Sequence, residues 1–125
     1  EPSGVIRAYD VHTGHLVWNW DSGNPHDTTL TAEGKTYTRT SPHLWPMFSV
    51  DAKPSIPYLP TANLTPDQLG ACPTPPSEKY PARLTALDIA TGKRRWHFQF
   101  TQHAPRVPDV AGHPPLMILP TAGVV

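Results

Sequence analysis

Ala86-Leu87-Asp88-Ile89-Ala90-Thr91-Gly92-Lys93-Arg94-Arg95-Trp96 has a twin 78 positions earlier, Ala8-Tyr9-Asp10-Val11-His12-Thr13-Gly14-His15-Leu16-Val17-Trp18. Both read Ala-x-Asp-x-x-Thr-Gly-x-x-x-Trp. In each copy a strand precedes the Asp, a second strand runs through the Trp, and a tight turn joins them. Asp accepts hydrogen bonds from the backbone of such a turn, and Gly supplies the positive φ it needs. The Trp has a large apolar face to pack on a neighbouring unit and an indole N–H that wants an acceptor. Two copies with identical offsets are a repeat, and repeated β-hairpins point to a propeller.

Working outward from these hairpins, strands are expected at Val5–Asp10, His15–Asp21, Met47–Val50, Ile56–Leu59, Ala82–Asp88 and Lys93–Phe100. The last four form one sheet, and the first two start the preceding blade. The separation of 78 positions exceeds the ~40–50 residues of an ordinary blade, so the excess needs a location. Residues 60–81 read as an irregular insertion that holds Pro60, Pro66, Pro73, Pro75, Pro76, Pro81 and Cys72. The organisation is then an outer hairpin over 1–21, a link over 22–45, a blade over 46–101 and a divergent tail over 102–125. A loop as long as 60–81 in a compact domain is usually functional or partner-facing.

Composition narrows the class further. The chain has 125 residues with Lys+Arg 10 and Asp+Glu 10, and no basic cluster beyond Lys93-Arg94-Arg95, so a nucleic-acid partner is not expected. Seventeen prolines break helices and interrupt ladders, which excludes a helical bundle and favours a loop-rich β structure. The single cysteine, Cys72, can form neither an internal disulfide nor a zinc site by itself. The longest apolar run, Leu116–Leu119, is far below the ~20 residues of a membrane span. The chain starts on Glu1 with a strand pattern almost at once, and its last residues carry no stop feature. It reads as a piece of something larger.

The repeated motif resembles the tryptophan-docking motif of eight-bladed quinoprotein dehydrogenases. More specific words, Ser3-Gly4-Val5-Ile6-Arg7-Ala8-Tyr9-Asp10, Ser41-Pro42-His43-Leu44-Trp45-Pro46, Tyr58-Leu59-Pro60, Thr65-Pro66-Asp67 and Leu84-Thr85-Ala86-Leu87-Asp88, are similar to the membrane-bound glucose/quinate/shikimate branch, which uses pyrroloquinoline quinone (PQQ). The resemblance runs from Glu1 to about His103. It implies an all-β fold, about one and a half blades of an eight-bladed propeller with long loops. It also implies a parent enzyme on the periplasmic side of the bacterial inner membrane that oxidises a sugar or cyclitol alcohol and passes electrons through PQQ to ubiquinone. In that scheme the cofactor carries the redox chemistry, calcium polarises the quinone carbonyl, and a carboxylate takes the hydroxyl proton.

By the same resemblance Trp45 stands near the PQQ ring, where a broad indole face can cover a planar quinone. Thr65 stands where a hydroxyl hydrogen-bonds the cofactor. On residue chemistry alone, Trp45 also reads as a packing Trp, as Trp18 and Trp96 do, and Thr65 as a cap on the turn at Pro66. Beyond the second motif the family's His-His-Asp-x-Trp-Asp-x-Asp becomes Gln102-His103-Ala104-Pro105-Arg106-Val107-Pro108-Asp109. His103 and Asp109 match, but Ala104 and Val107 stand where carboxylates belong, and Val107 is the position of the general base. No catalytic residue is therefore assigned. Loss of the reading frame at Ala104 and genuine divergence both account for the change. His12 and His15 are three apart on a turn with no third ligand nearby, and the other histidines lack ligand spacing, so no metal residue is assigned.

Three functional readings follow. The first is a segment of a PQQ-dependent dehydrogenase, inactive as this chain alone. The second is a non-catalytic propeller segment with a scaffolding or binding role. The third is a β-domain that binds carbohydrate through Trp20 and Trp45.

Overall fold

The computed structural model describes residues 3–30, 35–39, 41–62, 82–100, 110 and 112–117. Among them every regular element is a strand: β1 (Ile6–Tyr9), β2 (Leu16–Trp20), β3 (Ser49–Asp51), β4 (Ile56–Thr61), β5 (Arg83–Leu87) and β6 (Arg94–Gln99). β1 and β2 form a two-stranded antiparallel sheet, and β3-β4-β5-β6 form a four-stranded antiparallel meander. The sequence placed a strand at each of these six positions.

The two repeat copies fold alike down to the register. Ala8 faces Trp18 and Ala86 faces Trp96, with an irregularity one residue later in both ladders. The turn chemistry explains this. Asp10 Oδ1 accepts from the His12 and Thr13 amides and from the Thr13 hydroxyl, and Asp88 Oδ1 accepts from the Ala90 and Thr91 amides and the Thr91 hydroxyl. Gly14 and Gly92 both sit at φ 71°, the left-handed region that costs an L-residue about 1–2 kcal/mol. These bonds favour the ionised carboxylates and hold both below the usual range. For Asp10 the Thr13 amide is the main cause, for Asp88 the Thr91 hydroxyl, with Arg95 adding an ion pair at 3.1 Å.

The sheets meet through Trp18, Trp20, Leu59 and Leu87, with Ile6, Ala8 and Leu44 packed against them. Burying an indole removes ~200 Å² from water, on the order of 5 kcal/mol before the entropy of ordering. The Trp18 indole N–H donates to the Ile89 carbonyl at 2.8 Å, and the ring lies over Gly92, where an added Cβ would come within 2.6 Å of Trp18 Cδ2. The second repeat therefore has glycine for two reasons, its φ and the ring above it.

Three expectations need correction or restriction. Pro60 belongs to β4, facing Leu84 of β5, and is not part of the insertion. β3 ends opposite Tyr58, so beyond it β4 has an open side where proline is tolerated. Trp20 is fully buried in the intersheet core and cannot stack on a sugar, which removes half of the carbohydrate-binding reading. Trp96 keeps the register of Trp18 but not its burial, 42% exposed against 5%, because no third sheet covers it among the described residues. The rest of the insertion from 63 to 81 lies outside the described residues, as do 101–109.

Candidate functional site

Trp45 is presented by a segment fastened at its base. The Gly4 amide donates to Ser41 Oγ at 3.0 Å, and that hydroxyl donates to the Thr38 carbonyl at 3.1 Å. A Cβ on Gly4 would lie 2.1 Å from the Pro42 carbonyl oxygen, so only glycine lets the two strands of backbone approach this closely. The Ala62 amide, at the end of β4, donates to the His43 carbonyl at 2.8 Å, and Leu44 packs on the core. With Ser41 and Pro42 buried and Leu44 seated, Trp45 is left 54% exposed. Trp45 is thus an exposed indole on an anchored segment. Trp20, by contrast, spends its face in the core.

Thr65 lies outside the described residues. So do His103, Val107 and Asp109 and the carboxylate-poor stretch around them. The His43–Ala62 bond ties the Trp45 segment to the strand that leads into the Thr65 segment: His43 is two residues before Trp45, and Ala62 three before Thr65. His12, His15, His26, His43 and His113 are exposed. His97 is held below the usual histidine value, first by burial and then by the Arg83 and Arg94 charges. Among the described residues no three His, Cys, Asp or Glu side chains converge on a metal position. No described helix is long and apolar enough to cross a membrane.

Two cavities lie among the described residues, the first of them against His43 and Leu44 of this segment. One, of about 620 Å³, runs along β1 toward β3 and β4 and is lined by Ile6, Tyr9, His43, Leu44, Phe48 and Val50 among others. The other, of about 360 Å³, is polar and lies between Asn19, Asp21, Asp27, Lys35 and Tyr37. Sequence reasoning missed this polar loop because its residues share no motif or spacing and are brought together only by the fold. Asp21 organises it through distance: Oδ1 takes the Gly23 amide at 2.9 Å and Oδ2 the Thr38 amide at 2.7 Å, 17 residues away. A second contact not legible in the sequence joins Ser49 Oγ to His113 Nε2 at 2.9 Å. The Ser49 hydroxyl donates to the Pro114 carbonyl, so its proton is committed and the pair is a clasp for the tail, not an activated nucleophile.

A Trp on one sheet seated over the Asp-x-x-Thr-Gly turn of the next defines the class: these are adjoining blades of a β-propeller. Residues 1–124 match the family described as "PQQ: Glucose/ethanol/alcohol dehydrogenase, beta-propeller domain", and the chain belongs to that family. It is 42% identical over 116 residues to quinoprotein glucose dehydrogenase A of Acinetobacter calcoaceticus, covering 93% of this chain and 14% of that protein. It is 40% identical over 103 residues to quinoprotein glucose dehydrogenase of Escherichia coli (strain K12), covering 82% and 13%. It is 39% identical over 95 residues to quinate/shikimate dehydrogenase (quinone) of Acinetobacter baylyi, covering 76% and 12%. The chain thus spans about a seventh or less of the length of these relatives. No solved structure matches it significantly.

Proposed function

We propose that this chain forms one wall of the cofactor site of a PQQ-dependent dehydrogenase that oxidises a sugar or cyclitol alcohol of the glucose or quinate type. The observation that carries this reading is Trp45, exposed on a segment whose base is fixed by Ser41, His43 and Leu44. Its indole covers one face of the quinone, and Thr65 donates a hydrogen bond to the cofactor's edge. When bound, the quinone accepts the two electrons of alcohol oxidation; that chemistry belongs to the cofactor.

The described residues fit only part of that group. They supply an aromatic face, but among the described residues no three His, Cys, Asp or Glu side chains converge to hold calcium. Calcium binding is assigned to other blades of the parent enzyme. At position 107, where the family's general base stands, the chain has Val107, which cannot accept a proton, and Asp109 two residues on is the one nearby carboxylate that could substitute for it. Electron delivery to ubiquinone and a periplasmic location belong to the same proposal and rest on the family relationship.

A second reading, a propeller segment retained for scaffolding or binding, is favoured by Val107 and Ala104 standing where carboxylates belong. Titration of PQQ against tryptophan fluorescence separates the two. Quenching that is lost in Trp45→Ala and weakened in Thr65→Ala supports the cofactor wall. Quenching that is absent, or indifferent to both changes, favours the scaffold.

A further inference from the structure

Asp21 stands where β2 leaves the core, directly after Trp20, and is itself buried. Each of its carboxylate oxygens holds a different piece of backbone. Oδ1 accepts from the Gly23 amide at 2.9 Å and shapes the local turn, while Oδ2 accepts from the Thr38 amide at 2.7 Å, 17 positions away. Gly23 tightens the same join, since a Cβ built on it would collide with the Thr38 side chain. From Thr38 the bonding continues. Its carbonyl accepts the Ser41 hydroxyl proton at 3.1 Å, and Ser41 Oγ in turn accepts from the Gly4 amide at 3.0 Å. Ser41 is the first residue of the Ser41-Pro42-His43-Leu44-Trp45-Pro46 segment.

We propose that Asp21 is a positioning residue for Trp45, fixing the indole that faces the cofactor; this rests on the cofactor-wall reading. It acts through Thr38 and Ser41 and touches no ligand. Two features separate this role from that of a local turn acid. Asn or Ser satisfies a turn such as the one at Gly23, whereas only a carboxylate offers two acceptor oxygens to two amides, and an ionised acceptor makes the stronger bonds. A carboxylate is also costly to bury unless it is bonded, and one of the two bonds that hold Asp21 is the one that starts the path to Trp45. The far end of the segment is held separately, by Leu44 in the core and by the His43 carbonyl on the Ala62 amide. Asp21 secures one end and β4 the other, so the backbone under Trp45 is fixed from both sides.

The test reads Trp45 itself, as the difference between the chain and its Trp45→Phe variant. Asp21→Asn keeps one acceptor for the Gly23 turn and sets an NH2 group against the Thr38 amide, so it cuts the distant link selectively. Ser41→Ala cuts the same path at its other end. Each variant is expected to free Trp45 in the time-resolved anisotropy decay without ligand, and to weaken PQQ quenching about 3- to 30-fold. The double variant should lose little more than either alone, because both cut one path, whereas independent structural losses add. If Asp21→Asn does not fold, hydrogen exchange carries the test: the Thr38 amide should be protected in the wild type and should exchange faster in Ser41→Ala, with Trp45 freed. A Trp45 decay unchanged in the variants, effects on PQQ quenching that add, or an unprotected wild-type Thr38 amide overturns the proposal. Wild-type quenching indifferent to Trp45→Phe sinks the cofactor wall on its own, and the anisotropy then decides whether Asp21 holds Trp45.

Discussion

Trp18 on β2 reaches across 71 positions of sequence to donate its indole proton to the carbonyl of Ile89, at 2.8 Å. That bond and the ring over Gly92, together with Trp20, Leu59 and Leu87, hold the hairpin of one blade to the next. Trp18→Phe keeps much of the apolar area and loses the donor, at a cost of about 1–2 kcal/mol. Trp18→Ala also opens a cavity in the Trp18-Trp20-Leu59-Leu87 core, costing ~3–5 kcal/mol. Losses of that size approach the whole stability of a small domain. A urea titration followed by circular dichroism should show a lowered midpoint for the first variant and no folded baseline for the second.

Gly14 and Gly92 share a φ of 71° but not their surroundings, which makes a controlled comparison. Gly14→Ala should cost only the backbone strain, about 1–2 kcal/mol. Gly92→Ala adds a Cβ at 2.6 Å from the Trp18 ring, so it should cost a further ~1–3 kcal/mol of overpacking. Equal midpoints at high dilution would refute the claim that the ring is seated there.

The depressed His97 value makes stability depend on pH in a known direction. Below its ordinary value of ~6.5 the unfolded chain binds the proton before the folded one does, so stability falls as pH falls below that point. His97→Gln should flatten this limb, read as the urea midpoint between pH 7 and pH 5. A slope unchanged in the variant would assign it to another group.

Asp10 and Asp88 act at lower pH. Their carboxylates are held below the usual range by the Thr13 and Thr91 turns, so their contribution is present above ~4 and is lost as pH falls through the folded values. Asp88→Asn should weaken the acid limb and also the Trp18 dock, because the turn it orders carries Gly92. Asp10→Asn should weaken the acid limb while leaving Trp18 emission unchanged.

This chain alone should oxidise neither glucose nor quinate when given PQQ and calcium, and Val107→Asp should not restore activity. General-base catalysis gives only ~10²–10⁴-fold and presupposes a bound, oriented cofactor. Grafting residues 1–103 into an intact family member keeps the host's base; activity there that is lost in Trp45→Ala would support the cofactor wall. Turnover by the isolated chain would refute the expected inactivity.

Six strands, two turns and their shared register were legible because local chemistry dictates them. An Asp that caps its own turn, a Thr beside it and a Gly at positive φ leave the hairpin little choice, wherever it sits. Trp45 could be named from its motif, and its exposure is a consequence of Ser41, His43 and Leu44 fastening the segment. What lay beyond the sequence was which face meets which. Trp18, Trp20 and Trp96 all lie on outer strands with similar alternation, yet Trp20 is sealed in the core, Trp18 is docked and Trp96 stands half in water. Pro60 joined β4 in the stretch that β3 does not cover, and Asp21 found its second partner 17 residues away. Turn chemistry acts between neighbours a few residues apart and is written in their identities. Burial depends on whether another sheet arrives to cover the face, and no residue's own identity carries that information.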